Sequence, residues 1–194
     1  MSSPLQRLAL AAVLAASMPI AWAQVNPLSI LGRAVSTSMD VRTKDEIKHD
    51  TEIAAGASKR LLEDKSSEWT GVTVLVFAQH VVLAGAVKSD AVKKRVEDVV
   101  RQDKAIRSLK NELRVGDVGK LVKDTTLEAE INASLTAAKG VSSVNMRWSA
   151  TGGRVVLMGV AQSKQEADLA VQKIRGIGGV TGVVSHLRVV PPKK

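Results

Sequence analysis

The chain has 194 residues, with 28 Lys and Arg against 19 Asp and Glu, a net charge of +9 and no Cys. The absence of Cys excludes disulfides, thiolate metal sites and a lipid anchor on a cleavage-site Cys. Trp69, Phe77 and Trp148 are the only aromatic side chains beyond residue 23, which leaves little for stacking on nucleic-acid bases.

The first 23 residues read as a secretory signal peptide. Arg7 supplies a positive start, and Leu8 to Ala16 is a short apolar run. Ala21-Trp22-Ala23 places small residues at the two positions a signal peptidase reads. The run is well short of the roughly 20 apolar residues of a spanning helix, and no later segment is long and apolar enough to cross a bilayer. The expected product begins at Gln24 and is periplasmic. Residues 24–45 show no sustained period and are expected to be a flexible N-terminal segment.

From residue 46 the apolar pattern becomes regular. Ile53, Ala57 and Leu61 recur every four residues and predict a helix. Val72, Val74 and Val76 alternate with Thr73, Leu75 and Phe77 in a β-branched run that predicts a strand, with a second strand after it. Ser89-Asp90 then precedes a helix with an apolar stripe of Val92, Val96, Val99 and Val100, and can accept its free amide hydrogens. A last strand is expected from about Ile106 to Val115. These residues make a first domain over 46–116. Gly116-Asp117-Val118-Gly119-Lys120 marks the link, placed at residues 117–123.

Residues 124–191 read as a second copy, offset by 74 residues without a gap. Asp50-Thr51 falls on Asp124-Thr125, Gly85 on Gly159, Ser89 on Ser163 and Arg114 on Arg188. Leu127, Ile131 and Leu135 form the first helix face, and Asp124 or Thr125 can cap it. Val144, Met146 and Trp148 alternate along a strand. Ala150-Thr151-Gly152-Gly153 reads as a hairpin turn, and Arg154 to Val160 as the return strand. Ser163 opens a helix striped by Ala167, Ala170, Val171 and Ile174, and the last strand is expected from about Thr181 to Val190. Trp69 and Trp148 flank or enter the first strand of each copy and are expected to pack there.

Val81-Val82-Leu83-Ala84-Gly85-Ala86-Val87 and Val155-Val156-Leu157-Met158-Gly159-Val160-Ala161 resemble the core signature of the BON domain. Its pattern is an apolar strand ending in Leu-x-Gly-x-Val, then a Ser-led helix, then a Val-rich strand. Ile177-Gly178-Gly179-Val180-Thr181-Gly182-Val183 resembles the family's approach to that last strand. The first copy differs there, with Asp103-Lys104-Ala105-Ile106 and no Gly. The structural motif positions are therefore Gly85, Gly159, Ser89, Ser163 and Gly179. The fold class expected is α+β: two tandem αββαβ BON-like domains, each a three-stranded mixed sheet with two helices on one face.

The resemblance implies a non-enzymatic periplasmic binding or scaffold protein of the cell envelope. It would serve envelope integrity or stress response by contacting an anionic phospholipid surface or envelope proteins. The alternative it implies is a periplasmic holdase chaperone for exported proteins. In one lipid-contacting member the first helix of the second domain meets lipid, with a Trp two residues after its Asp. Here that position is Thr126, followed by Glu128 and Glu130, and an acidic helix is poorly suited to an anionic interface.

Charge points to the second copy instead. Residues 46–117 hold thirteen basic and twelve acidic side chains, and residues 118–194 eleven and five. Lys139, Arg147, Arg154, Lys173 and Arg175 are the candidate binding residues for an anionic partner. No metal, cofactor or small-molecule substrate is implied. His49, His80 and His186 have no ligand spacing. Glu63-Asp64, Glu97-Asp98 and Lys93-Lys94-Arg95 read as solvated helix faces. Gly176-Ile177-Gly178-Gly179 has the spacing of a nucleic-acid loop but sits where a helix end and turn want Gly, so no nucleic-acid partner is expected.

Overall fold

The computed structural model describes residues 40–64, 69–119 and 123–191. The expected signal peptide and residues 24–39 lie outside them. Helix α1 (Lys44–Glu63) opens with a capping box. Thr43 Oγ1 accepts from the Glu46 amide, and Glu46 accepts from the Thr43 amide at 2.8 Å. This pair starts the helix two residues inside the stretch expected to be flexible. Ile53, Ala57 and Leu61 form its buried face.

Strands β1 (Val72–Phe77) and β2 (His80–Val87) pair antiparallel. Helix α2 (Asp90–Arg101) follows, capped by Ser89 Oγ accepting from the Val92 amide. The last strand is not continuous. It splits into β3 (Ser108–Asn111) and β4 (Arg114–Val115), both parallel to β2. Leu113 causes the break: it turns into the core between sheet and helices, its amide donating to Asn111 Oδ1.

The second copy runs α3 (Thr125–Ala137), β5 (Met146–Thr151), β6 (Arg154–Ala161), α4 (Lys164–Arg175) and β7 (Gly182–Val189). Asp124 caps α3 and Ser163 caps α4. β5 and β6 pair antiparallel, and β7 lies parallel to β6 over its full length. Val144 falls in a short 3-10 turn (Ser143–Asn145), so the strand begins at Met146. Both copies are therefore αββαβ with a mixed sheet, and in each copy the two helices pack against one sheet face.

Gly85 and Gly159 explain the Leu-x-Gly that the two copies share. Their φ angles are +112° and +128°. A Cβ there would lie 1.9 Å from the Gly71 carbonyl oxygen or 2.1 Å from that of Asn145. Only glycine lets the neighbouring backbone approach so closely.

The other face of each sheet is buried as well. Leu75 and Phe77 of β1 and Val82 and Ala84 of β2 form one cluster with Val156, Met158 and Val160 of β6. The two sheets thus pack face to face, with the helices outside. Trp148 is buried in the second core, and Trp69 packs against the first. Among the described residues, no helix is long and apolar enough to cross a membrane.

Candidate functional site

The seam between the sheets gathers most of the buried charge. At one place Asp40 to Thr43 runs into it. Arg42 donates to Asp40 at 2.6 Å and to Asp50 at 2.9 Å, and the side chains of Asp40, Arg42 and Asp50 are 1%, 5% and 5% exposed. The Val41 amide donates to Asn145 Oδ1 of the second domain at 3.0 Å. Arg42 lies 4.3 Å from the centre of the Phe77 ring, and Arg147 of the second domain lies 5.4 Å from it. Burial opposes the charged form of Asp40, but the hydrogen bonds and charge of Arg42 outweigh it and hold the carboxyl below its usual range. Burial likewise opposes the charge on Arg42, and Asp40 with Asp50 raises its guanidinium above the ordinary value.

Asp50 has a further duty. Its oxygens accept from the Ala78 and Gln79 amides at 2.7 and 2.6 Å. Both residues occupy the left-handed region, at φ +51° and +64°. Their counterparts 74 residues on are Gly152 and Gly153, which adopt that region without strain.

At the other place, where β3 and β4 approach β7, Glu112 accepts from Arg154 at 2.7 Å and meets His186 at 2.9 Å. Burial favours the neutral form of Glu112, but Arg154 and His186 overcome it and lower its pKa. Glu112 and His186 occupy equivalent positions of the two copies. The contact between them thus sits where a pseudo-two-fold relation between the domains would place its axis.

These arrangements divide the five basic candidates. Arg147 and Arg154 belong to the seam: Arg147 lies near Phe77 and donates to the Val144 and Met146 carbonyls, and Arg154 pairs with Glu112. Lys139, Lys173 and Arg175 are exposed on the helical side. Gly140 lies beside Leu169 of α4, so Lys139 borders the helix that carries the other two.

The remaining sequence features are structural. Asp64 pairs with Arg95, Glu97 with Arg101, and Lys94 with Asp98. Arg101 and Asn111 hydrogen-bond Glu97 and, against burial, lower its pKa. Gly176 ends α4, and Gly179 turns the chain into β7 at φ +85°. His49 is an exposed residue of α1. Among the described residues, no three His, Asp or Glu side chains converge on a point. Asp40, Arg42, Asp50 and Glu112 are seam residues that sequence reasoning did not single out. The signal for the seam itself was the run Val72–Phe77 and Val81–Val87, apolar at both alternating sets of positions, as in strands covered on both faces.

A protein of Anaplasma centrale described as "Uncharacterized protein in gshII 5'region" is 31% identical over 125 residues, covering 62% of this chain and 83% of the relative. Two solved structures of CdsD, a structural protein of the Type III secretion system of Chlamydia trachomatis, also match. One has a TM-score of 0.32 at 17% identity over 73% of this chain, and the other, a C-terminal domain, 0.30 at 19% over 71%. The match covers 65% and 66% of those chains, under two thirds of each. The BON domain signature matches residues 49–117 and again 123–191. The chain therefore belongs to the BON domain family and carries two copies of this domain, stacked sheet to sheet.

Proposed function

We propose that this is a periplasmic binding and scaffold protein of the cell envelope, which contacts an anionic phospholipid surface or envelope proteins through the helical side of its second domain. The observation that carries this reading is the state of the exposed cations there. Lys139, Lys173 and Arg175 have no ion-pair partner among the described residues, whereas the exposed Lys164 on the same helix is paired with Asp168. Unpaired cations at the end of a helix suit an anionic surface. Arg147 and Arg154 support the reading differently, by fixing the second domain to the first.

Co-sedimentation with vesicles of phosphatidylglycerol and phosphatidylcholine, against phosphatidylcholine alone, tests it. Selective binding at low salt that falls in a Lys139→Gln/Lys173→Gln/Arg175→Gln variant is expected. Equal binding to both vesicle types removes the lipid version.

A second reading, a holdase for exported proteins, is favoured by Val115 and Val189. They occupy equivalent positions at the ends of β4 and β7, and both are exposed, as is Val190. A holdase suppresses client aggregation at high salt as well as low, because apolar contacts are not screened.

A further inference from the structure

The two domains treat their last sheet edge differently. In the first, Asn111 is held against α2, its side-chain nitrogen donating to the Lys93 carbonyl and to Glu97 at 3.0 Å each. Its Oδ1 accepts from the Leu113 amide at 3.2 Å, and the strand breaks there into β3 and β4. Ser185 occupies the equivalent position of the second domain and is exposed. Its hydroxyl accepts from the Leu187 amide at 3.4 Å, the outer limit of a hydrogen bond, and β7 runs on unbroken over 8 residues.

β7 is therefore a full-length edge strand, paired with β6 alone. The Val190 amide donates to the Ala161 carbonyl at 2.9 Å, so in this parallel ladder the even-numbered amides of β7 face β6 and the odd-numbered ones face away. Among the described residues, Leu187 has the one outward amide that meets an acceptor, the Ser185 hydroxyl. From Gly182 to Val190 there is no Pro, Lys or bulge, the devices that blunt a sheet edge. The opposite edge of the same sheet is closed. Lys123 bridges to Thr151, and the Ala150 amide donates to Glu128 at 3.0 Å.

The two faces beside this edge differ in character. Val183 and Leu187 pack into the helix-side core, and Val189 continues their row but is exposed. Arg188 lies on the other face, paired across the sheet with Val160. Charge along this end of the chain has one sign. Asp168 is its last acid, and Lys173, Arg175, Arg188, Lys193 and Lys194 follow. An added strand with carboxylates on the Arg188 face is attracted, and one with ammonium groups there is repelled.

We propose that β7 is a docking edge for an extended polypeptide segment of alternating acidic and apolar residues, bound by strand addition. Backbone hydrogen bonds to Val183, Ser185, Leu187 and Val189 hold the segment, its apolar residues cover Val189, and its acidic residues face Arg188. The surface is a sheet edge and the partner a polypeptide strand, so the inference rests on neither reading given above.

The test uses the chain from residue 24 onward and a capped, fluorescein-labelled peptide of alternating Val and Glu. Saturable binding by anisotropy is expected, with a peptide of alternating Val and Lys weaker by about tenfold or more. Amide exchange followed by NMR should show protection gained at Val183, Ser185, Leu187 and Val189. None should be gained at Val184, His186 and Arg188, which already face β6. Peptides N-methylated at the Val amides or at the Glu amides give the direction of the added strand. Antiparallel addition places the Val amides against β7, and parallel addition places the Glu amides there. One pattern of methylation should abolish binding and the other should not.

Ser185→Pro removes an outward amide without touching the ladder to β6 and should abolish binding. Arg188→Glu should weaken the acidic peptide by about three- to tenfold, and it reads the site even if Ser185→Pro loosens β7. The proposal is overturned if wild type shows no saturable binding, or if both methylated peptides bind as well as the parent. It is also overturned if Lys139→Gln/Lys173→Gln/Arg175→Gln abolishes binding while Arg188→Glu leaves it unchanged. Odd-numbered amides already protected in the free protein, together with a dimer in sedimentation, would give the edge to a second copy and overturn it as well.

Discussion

Asp50 and Asp124 began as the same residue of a repeated unit and now do different work. Asp124 caps α3, as its sequence context predicts. Asp50 lies buried within α1, where it holds Arg42 and the amides of Ala78 and Gln79. Nothing in the spacing of residues 46–61 announces that duty, because it depends on a turn 28 residues away and on a strap that precedes the helix. Asp50→Ala should therefore cost about 2–4 kcal/mol in urea unfolding, since it removes two amide acceptors and half of a buried cation's pairing. Gln79→Gly should stabilise by about 0.5–1 kcal/mol, because it relieves a left-handed non-glycine residue. A loss of stability in Gln79→Gly would mean that its side chain, not its strain, governs the turn. His80 adds a pH dependence. Its folded pKa lies below the unfolded value of about 6.5, so its contribution to stability is present above that pH and is lost as pH falls through the folded value. Melting temperatures from pH 7 down to 5 should fall less steeply in His80→Gln than in wild type. Asp40 and Glu112 act in the same direction at lower pH, with losses below about pH 4.

At the scale of elements, local chemistry was sufficient for most of the architecture. Four-residue apolar spacing located the four helices, Ser89 and Ser163 located two of their starts, and the repeat supplied the order αββαβ twice. What local chemistry missed was set by long-range packing. Leu113 breaks the last strand of the first domain because its side chain enters the core, and no nearby Gly or Pro signals the break. α1 starts at Lys44 because Thr43 and Glu46 close a capping box that lies before the apolar period begins. The Gly85 and Gly159 pair is legible in both ways, as a recurring sequence letter and as a backbone contact. Gly85→Ala and Gly159→Ala should each destabilise by about 3 kcal/mol or more, since the added Cβ meets a carbonyl oxygen and the φ angle disfavours any side chain. Calorimetry of the two variants should show losses of similar size, because the two sites share one geometry. A large loss in one and none in the other would break that equivalence.

At the scale of the whole molecule, the stacking of the two sheets decides how the five basic candidates are used. Charge counts pointed to the second domain but could not separate Arg147 and Arg154, which face the first domain, from Lys139, Lys173 and Arg175, which face outward. That division depends on which sheet face is covered, and the clue was the apolar residues on both sides of β1 and β2. A seam of Leu75, Phe77, Val82, Ala84, Val156, Met158 and Val160 is apolar and buried, so neither domain can unfold without exposing the other's sheet. Wild type should then unfold by heat in one transition. Met158→Asp places a charge in the seam while leaving the two helix-facing cores intact, because Met158 belongs to neither. It should split unfolding into two transitions. Each can be followed separately, since Trp69 packs against the first core and Trp148 lies in the second. In a Trp148→Phe background the emission of Trp69 tracks the first domain, and in a Trp69→Phe background Trp148 tracks the second. With both variants made in the chain from residue 24 onward, so that each carries one Trp, coincident curves in the two, and separated curves once Met158→Asp is added, are the expected outcome. Separated curves without Met158→Asp would show that the sheets stack without coupling, and the division of the basic residues between seam and surface would lose its energetic basis.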